Sequence, residues 1–157
     1  MPVTERVTTI ERLTELAGSE IRVGDWRRVS QDDVDAFARL TGDDAWIHVD
    51  QARARASVFG GTIAQGTLIL SMVASLLEEG DGVELALDYK YGVNYGYDKV
   101  RFLAPVVVGS RVRARLGVKA VTEVSPAARR IVWLRTVDIE GSDKPAMVAE
   151  AISQWYW

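Results

Sequence analysis

The chain has 157 residues, 48% of them apolar and 26% charged, with a formal net charge of −3. That is one domain's worth of ordinary soluble composition, long enough to bury a core without staples, and its charge gives no electrostatic grip on nucleic acid or an anionic membrane. With no cysteine and a single histidine, disulfides, thiolate nucleophiles and Cys-ligated metals are excluded and a zinc site would be hard to assemble.

The opening MPVTERVTTIERL lacks the apolar core of a signal peptide, and no apolar run reaches membrane-span length, so a cytoplasmic protein is expected. Residues 9–16 predict a short helix, with Ile10, Leu13 and Leu16 at helical spacing and Gly18 as a stop. Residues 21–29 predict a strand broken at Gly24 and Asp25. Ser30 is a good N-cap, Asp32 and Asp33 favour the positive helix end, and Val34, Phe37, Ala38 and Thr41 form one face of a helix that Gly42 terminates. Residues 51–57 predict a helical turn, and Phe59, Gly60 and Gly61 a loop.

Residues 62–77, TIAQGTLILSMVASLL, are apolar on almost every side after Gly66, the pattern of a helix surrounded by protein. A stop follows at 78–82. From Val83 the pattern changes to strands: 83–91 and 95–102, separated by Gly92, Asn94 and Gly96, then 111–124, 130–139 and 146–157, with turns at Ser125-Pro126 and at 140–143. Helices first and antiparallel strands after predict one α+β domain over 1–157, a sheet curled around a central helix.

The most informative segment is FARLTGDDAWIHVD, residues 37–50. It carries the only histidine, His48, five residues after Asp43. Histidine is the side chain whose ordinary pKa lies nearest neutrality, so any His-dependent proton transfer in this chain uses His48. A spacing of five does not put two side chains on one helix face, so Asp43 and His48 meet only if the chain bends back. Taken singly, Asp43 also reads as a turn residue and His48 as a structural side chain. Asn94 and Tyr95, in the glycine-flanked break between strands, read either as the lining of a pocket or as a turn residue and a core ring. Lys99, Arg101, Arg111 and Arg113 read mostly as a solvated strand face. Trp155-Tyr156-Trp157 reads as an interface patch or the end of a buried strand.

TGDDAWIHVD followed by FGGTIAQGTLILS resembles the signature of the MaoC-like dehydratases, which include the (R)-specific enoyl-CoA hydratases, and VNYGYDKVRFLAPVVVGS at 93–110 is similar to the nodulation-protein-N-like branch. The resemblance implies a hot-dog fold, a homodimer, and reversible syn addition of water to a trans-2-enoyl thioester. It implies Asp43 and His48 as the catalytic pair and the Gly66 N–H as the donor to the thioester oxygen. Coenzyme A, or an acyl-carrier protein, enters as part of the substrate; no separate cofactor and no metal is implied. Two departures stand out. Gln65 occupies a position where many members have histidine, and it remains a candidate substrate-binding residue with Asn94 and Tyr95. Ala74 occupies the place of a serine that supports the aspartate, with Ser71 and Ser75 nearby.

The chemistry suits those residue types. A carboxylate and an imidazole converging on one water share the proton work. A backbone N–H at a helix start is unpaired within the helix and sits at its positive end, and glycine leaves the approach to it open. A non-catalytic acyl-thioester-binding subunit is the rival expectation, and a thioesterase a third.

Overall fold

The computed structural model describes residues 3–157. Strand β1 (Val3–Val7) leads into helix α1 (Ile10–Glu15), whose start is set by Thr9, the hydroxyl of which accepts the Arg12 N–H at 3.2 Å. Strands β2 (Glu20–Gly24) and β3 (Arg27–Arg28) are the two halves of the expected interrupted strand. Ser30 then caps helix α2 (Gln31–Thr41). Its hydroxyl accepts the Asp33 N–H while the Asp33 carboxylate accepts the Ser30 N–H, both at 3.1 Å, so two orphan donors are satisfied reciprocally. Gly42 ends the helix at φ +77°, a left-handed turn that few side chains tolerate, and this is the reversal the Asp43–His48 reading requires.

Removing the cap gives a measurable effect. Ser30→Ala is expected to lower stability by about 1 kcal/mol in urea unfolding at neutral pH. The Ser30 hydroxyl bond holds the Asp33 carboxyl below its usual pKa. A lowered folded pKa makes this contribution present above the unfolded carboxyl range and lost as pH falls through the folded value. The gap between the two proteins therefore narrows toward acid.

Helices α3 (Trp46–Val49) and α4 (Gln51–Arg55) follow as single turns, pinned together by the Arg53 guanidinium 4.2 Å over the Trp46 ring. Helix α5 (Gly66–Met72) is shorter than the sequence pattern suggests, with a 3-10 turn at Ser75–Leu77 continuing it. Residues 62–64 are extended because their backbone is engaged elsewhere: the Ile63 N–H donates to Ile47 O at 3.0 Å and the Ala64 N–H to Val106 O at 2.8 Å. The helix is also not enclosed on every side. Leu68, Ile69, Met72 and Val73 are buried, while Thr67, Ser71 and Ala74 form an open stripe.

Strands β4 (Gly80–Leu85), β5 (Tyr91–Phe102), β6 (Arg111–Ser125), β7 (Ala128–Ile139) and β8 (Met147–Tyr156) complete one sheet in the order β1-β4-β2-β6-β7-β8-β5, with β3 also on β6. The sheet is mixed rather than wholly antiparallel, because β1 runs parallel to β4. The expected break at Gly92, Asn94 and Gly96 is corrected too. These residues lie inside the single strand β5, whose irregularity is absorbed by register shifts after Asn94 and after Asp98.

Alternation decides which strand face is dry. Val112, Ala114, Leu116 and Val118 of β6 are buried, as their period of two requires. The buried face of α5 packs against Val112, Ala114, Val137, Met147 and Ala149, so the sheet curls over the helix as expected. A second cluster, built around Leu13, Val118, Ile131 and Trp133, fills the sheet beneath α1.

Candidate active site

The chain reversal at Gly42 and the single turn α3 bring the two candidate groups together: Asp43 Oδ1 lies 4.0 Å from His48 Nε2. The imidazole is buried, at 7% exposure, whereas the Asp43 side chain is about half exposed. His48 Nδ1 lies 2.6 Å from the Ile63 carbonyl oxygen. A carbonyl only accepts, so the neutral ring carries its proton on Nδ1 and presents the Nε2 lone pair toward Asp43. The His48 backbone is held as well, its carbonyl accepting from Gln31 Nε2 at 2.8 Å, and Gln31 Oε1 in turn accepts from Thr62 Oγ1.

His48 and Gly66 line the same cavity, of about 240 Å³, with Ile63, Ile69, Phe102, Leu103 and Pro105. Gly66 opens α5 there. A Cβ built on it would come within 2.8 Å of the Phe102 ring, so the close contact of ring and backbone requires glycine. The first amides of the helix have no partner inside it and aim their positive end at this start. A buried acceptor site, a polarised helix start and an apolar lining thus share one space.

Gln65 proves to be a supporting residue as well as a neighbour of the helix start. It is 1% exposed, and its Nε2 donates to Asp43 O at 3.1 Å and to Val34 O at 3.3 Å. Both partners are carbonyls, which fixes the amide orientation. Its Oε1 is buried without a partner among the described residues. Ser71 and Ser75 do not take over the support of Asp43, since their hydroxyls donate to Thr67 O and Met72 O on their own helical turns. Gln65→Leu would strip a donor from the buried Val34 carbonyl and the partly buried Asp43 carbonyl. It is expected to cost about 1–3 kcal/mol in unfolding experiments, in the upper range if no water replaces the amide.

The structure does not bring Asn94 and Tyr95 to this cavity. Asn94 pairs with Ser153 on β8 and lines a separate cavity beside Trp133 and Trp155. The Tyr95 ring lies under Arg130, 3.9 Å from its guanidinium carbon, and is more than half exposed. Lys99, Arg111 and Arg113 pair with Glu150, Glu140 and Asp138, the solvated-face reading. Trp155 stacks with Tyr89 at the end of a packed strand. Sequence reasoning passed over Gln31, which looked like a generic first helical residue, and Ile63, whose contribution is a carbonyl. Phe102 and Pro105 were legible inside the KVRFLAPV segment.

A family model for the MaoC like domain matches residues 13–133. The chain is 41% identical over 147 residues to 3-hydroxyacyl-thioester dehydratase Z of Mycobacterium tuberculosis, covering 94% of this chain and 95% of that protein. It is 37% identical over 137 residues to nodulation protein N of Rhizobium leguminosarum bv. viciae, covering 87% and 84% respectively. Among solved structures, the (R)-hydratase from A. caviae involved in PHA biosynthesis superposes with a TM-score of 0.67 at 26% identity, over 86% of this chain and 95% of that one. The sheet-over-helix architecture is the hot-dog fold, and on sequence and structure together the chain belongs to the MaoC-like domain family.

Proposed function

We propose that the protein is an (R)-specific enoyl-thioester hydratase, acting in reverse as a 3-hydroxyacyl-thioester dehydratase. The observation that carries this reading is the approach of Asp43 Oδ1 to His48 Nε2, 4.0 Å apart, beside the helix start at Gly66. A water at ordinary hydrogen-bond lengths of about 2.8 Å bridges a gap of that size and donates one hydrogen to each group. The thioester oxygen takes the Gly66 N–H, which polarises the conjugated double bond. The water oxygen then bonds to C3 as its proton passes to His48 Nε2, and the imidazolium returns a proton to C2 on the same face. Asp43 holds the water through its second hydrogen and stabilises the imidazolium. One group serving both transfers accounts for syn addition, and coenzyme A or an acyl-carrier protein carries the acyl group through a thioester that stays intact throughout. No cofactor is needed.

Gln65 acts at one remove, holding the Asp43 backbone. The exposed edge of β5, with Tyr91, Val93 and Tyr95 at 54%, 45% and 57% exposure, supports pairing with a second copy, since an unpaired edge strand is a template for another chain. Sedimentation of the purified protein is expected to give twice the 17.3 kDa chain mass.

The decisive experiment mixes purified protein with a short trans-2-enoyl-CoA and follows loss of the conjugated-thioester absorbance. Rapid loss with formation of the (R)-3-hydroxyacyl product is expected. No loss with short, long or branched enoyl-CoA or carrier-protein thioesters would overturn the proposal in favour of a binding subunit. Release of free thiol without hydration would indicate a thioesterase.

A further inference from the structure

Strand β7 sends Ile131, Trp133 and Val137 into the core, so Arg135, at the same period of two, shares their helix-facing side of the sheet. It lies between the two hydrophobic clusters, one holding Trp133 and the other Val137. Removing a guanidinium from water without a partner is costly. Four other arginines of β6 and β7 meet that cost with carboxylates, Arg111 with Glu140, Arg113 and Arg115 with Asp138 and Arg129 with Glu123, and Arg130 meets it with the Gln154 amide oxygen at 3.0 Å and the face of Tyr95. Arg135 has no carboxylate at ion-pair distance among the described residues. Among the described residues its Nε is buried without an acceptor, and its one donation is long, 3.5 Å, to Tyr97 Oη.

Arg135 lines a cavity of about 330 Å³, a volume within the range of small-molecule sites. Leu85, Leu116 and Trp155 form apolar walls, Asn94 and Ser153 are the other polar side chains that matter, and no lining residue is acidic. Ser153 Oγ already accepts from Trp133 Nε1 at 2.8 Å, so its own hydrogen is available to donate. The cavity therefore combines a cation and two neutral donors with hydrocarbon walls.

We propose that this cavity binds a small carboxylate with an apolar body. The carboxylate meets the Arg135 guanidinium, Ser153 and Asn94 donate to it, and the hydrocarbon lies against Leu116, Leu85 and Trp155. An inorganic anion would satisfy the arginine but leave the walls wet; a neutral apolar molecule would cover the walls but leave the arginine unpaired. The cavity contains none of Asp43, His48 or Gly66, so the proposal stands or falls apart from the hydratase reading.

The test uses the intact protein and hexanoate as the probe, followed by NMR of the tryptophan indole N–H groups. Hexanoate is expected to shift the Trp133 and Trp155 signals saturably and to leave those of Trp26 and Trp46 in place. Hexan-1-ol, with the same body and no charge, and Arg135→Gln are each expected to weaken binding by about tenfold to a hundredfold, the worth of a charged hydrogen bond. Inorganic phosphate is expected to leave the indoles unmoved. Equal binding of hexanol and hexanoate would overturn the proposal even if Arg135→Gln failed to fold. So would unweakened binding to that variant, or indole shifts that follow protein concentration and not hexanoate, which would make a second copy the occupant.

Discussion

His48→Asn is expected to lower enoyl-thioester hydration by about 10²–10⁴-fold while leaving the protein folded. Asparagine keeps an N–H near the position of Nδ1, so the bond to the Ile63 carbonyl survives, but nothing replaces the Nε2 lone pair. Asp43→Asn retains the shape at that position and removes the carboxylate that orients water and stabilises the imidazolium; a loss of similar order is expected. The two groups work on one water across 4.0 Å, so the double variant should be little slower than the worse single one. Groups that act as a unit are not additive. The measurement is the initial rate of absorbance loss for all four proteins, with circular dichroism to confirm folding. Undiminished turnover in either single variant would remove that residue from the mechanism, and multiplicative losses would show that the two do not share a water.

Gly66→Ala carries the second large effect. The added methyl would meet three atoms of the Phe102 ring within 2.9 Å, so either the ring or the helix start must move. Displacing one oxyanion donor costs about 10²–10³ in rate, and kcat should fall by that order with KM changed less. Phe102 is about half exposed, so the clash can be relieved from the other side. Gly66→Ala with Phe102→Ala is expected to recover part of the lost kcat. If the single variant kept full activity, the amide at position 66 would not be the donor. Absence of any recovery in the double variant would show that the clash with the ring is not the cause of the loss.

The capped helix was legible because its determinants are local: Ser30, Asp33 and Gly42 act on their own backbone within a few residues. The buried strand faces were legible for the same kind of reason, since a period of two survives wherever one side is dry. Thr, Ile, Ala and Gln at 62–65 fit a helical pattern, yet Ile47 and Val106 claim the amides of Ile63 and Ala64. Gln65 is a candidate substrate contact on sequence alone because its two carbonyl partners, 22 and 31 residues away in sequence, leave no trace in the local pattern. The glycines around Asn94 and Tyr95 suggest a break, compatible with a pocket lining or with a turn residue and a core ring, whereas bulges keep the strand whole and set the two side chains apart.

The order of residues by itself determined the helix caps, the alternation that buries one face of the sheet, and the presence of one histidine in the segment that follows a reversing glycine. It also held the paired motifs that mark the family. Only the tertiary structure decided that Asp43 and His48 approach to 4.0 Å, which ring nitrogen faces the carboxylate, and that Gln65 supports that loop. It alone left Arg135 without a carboxylate among the described residues. The physical reason is range: caps and alternation are set by neighbours along the chain, whereas a tautomer, a buried amide and an unpaired cation depend on which distant backbone and side-chain groups folding brings to the same place.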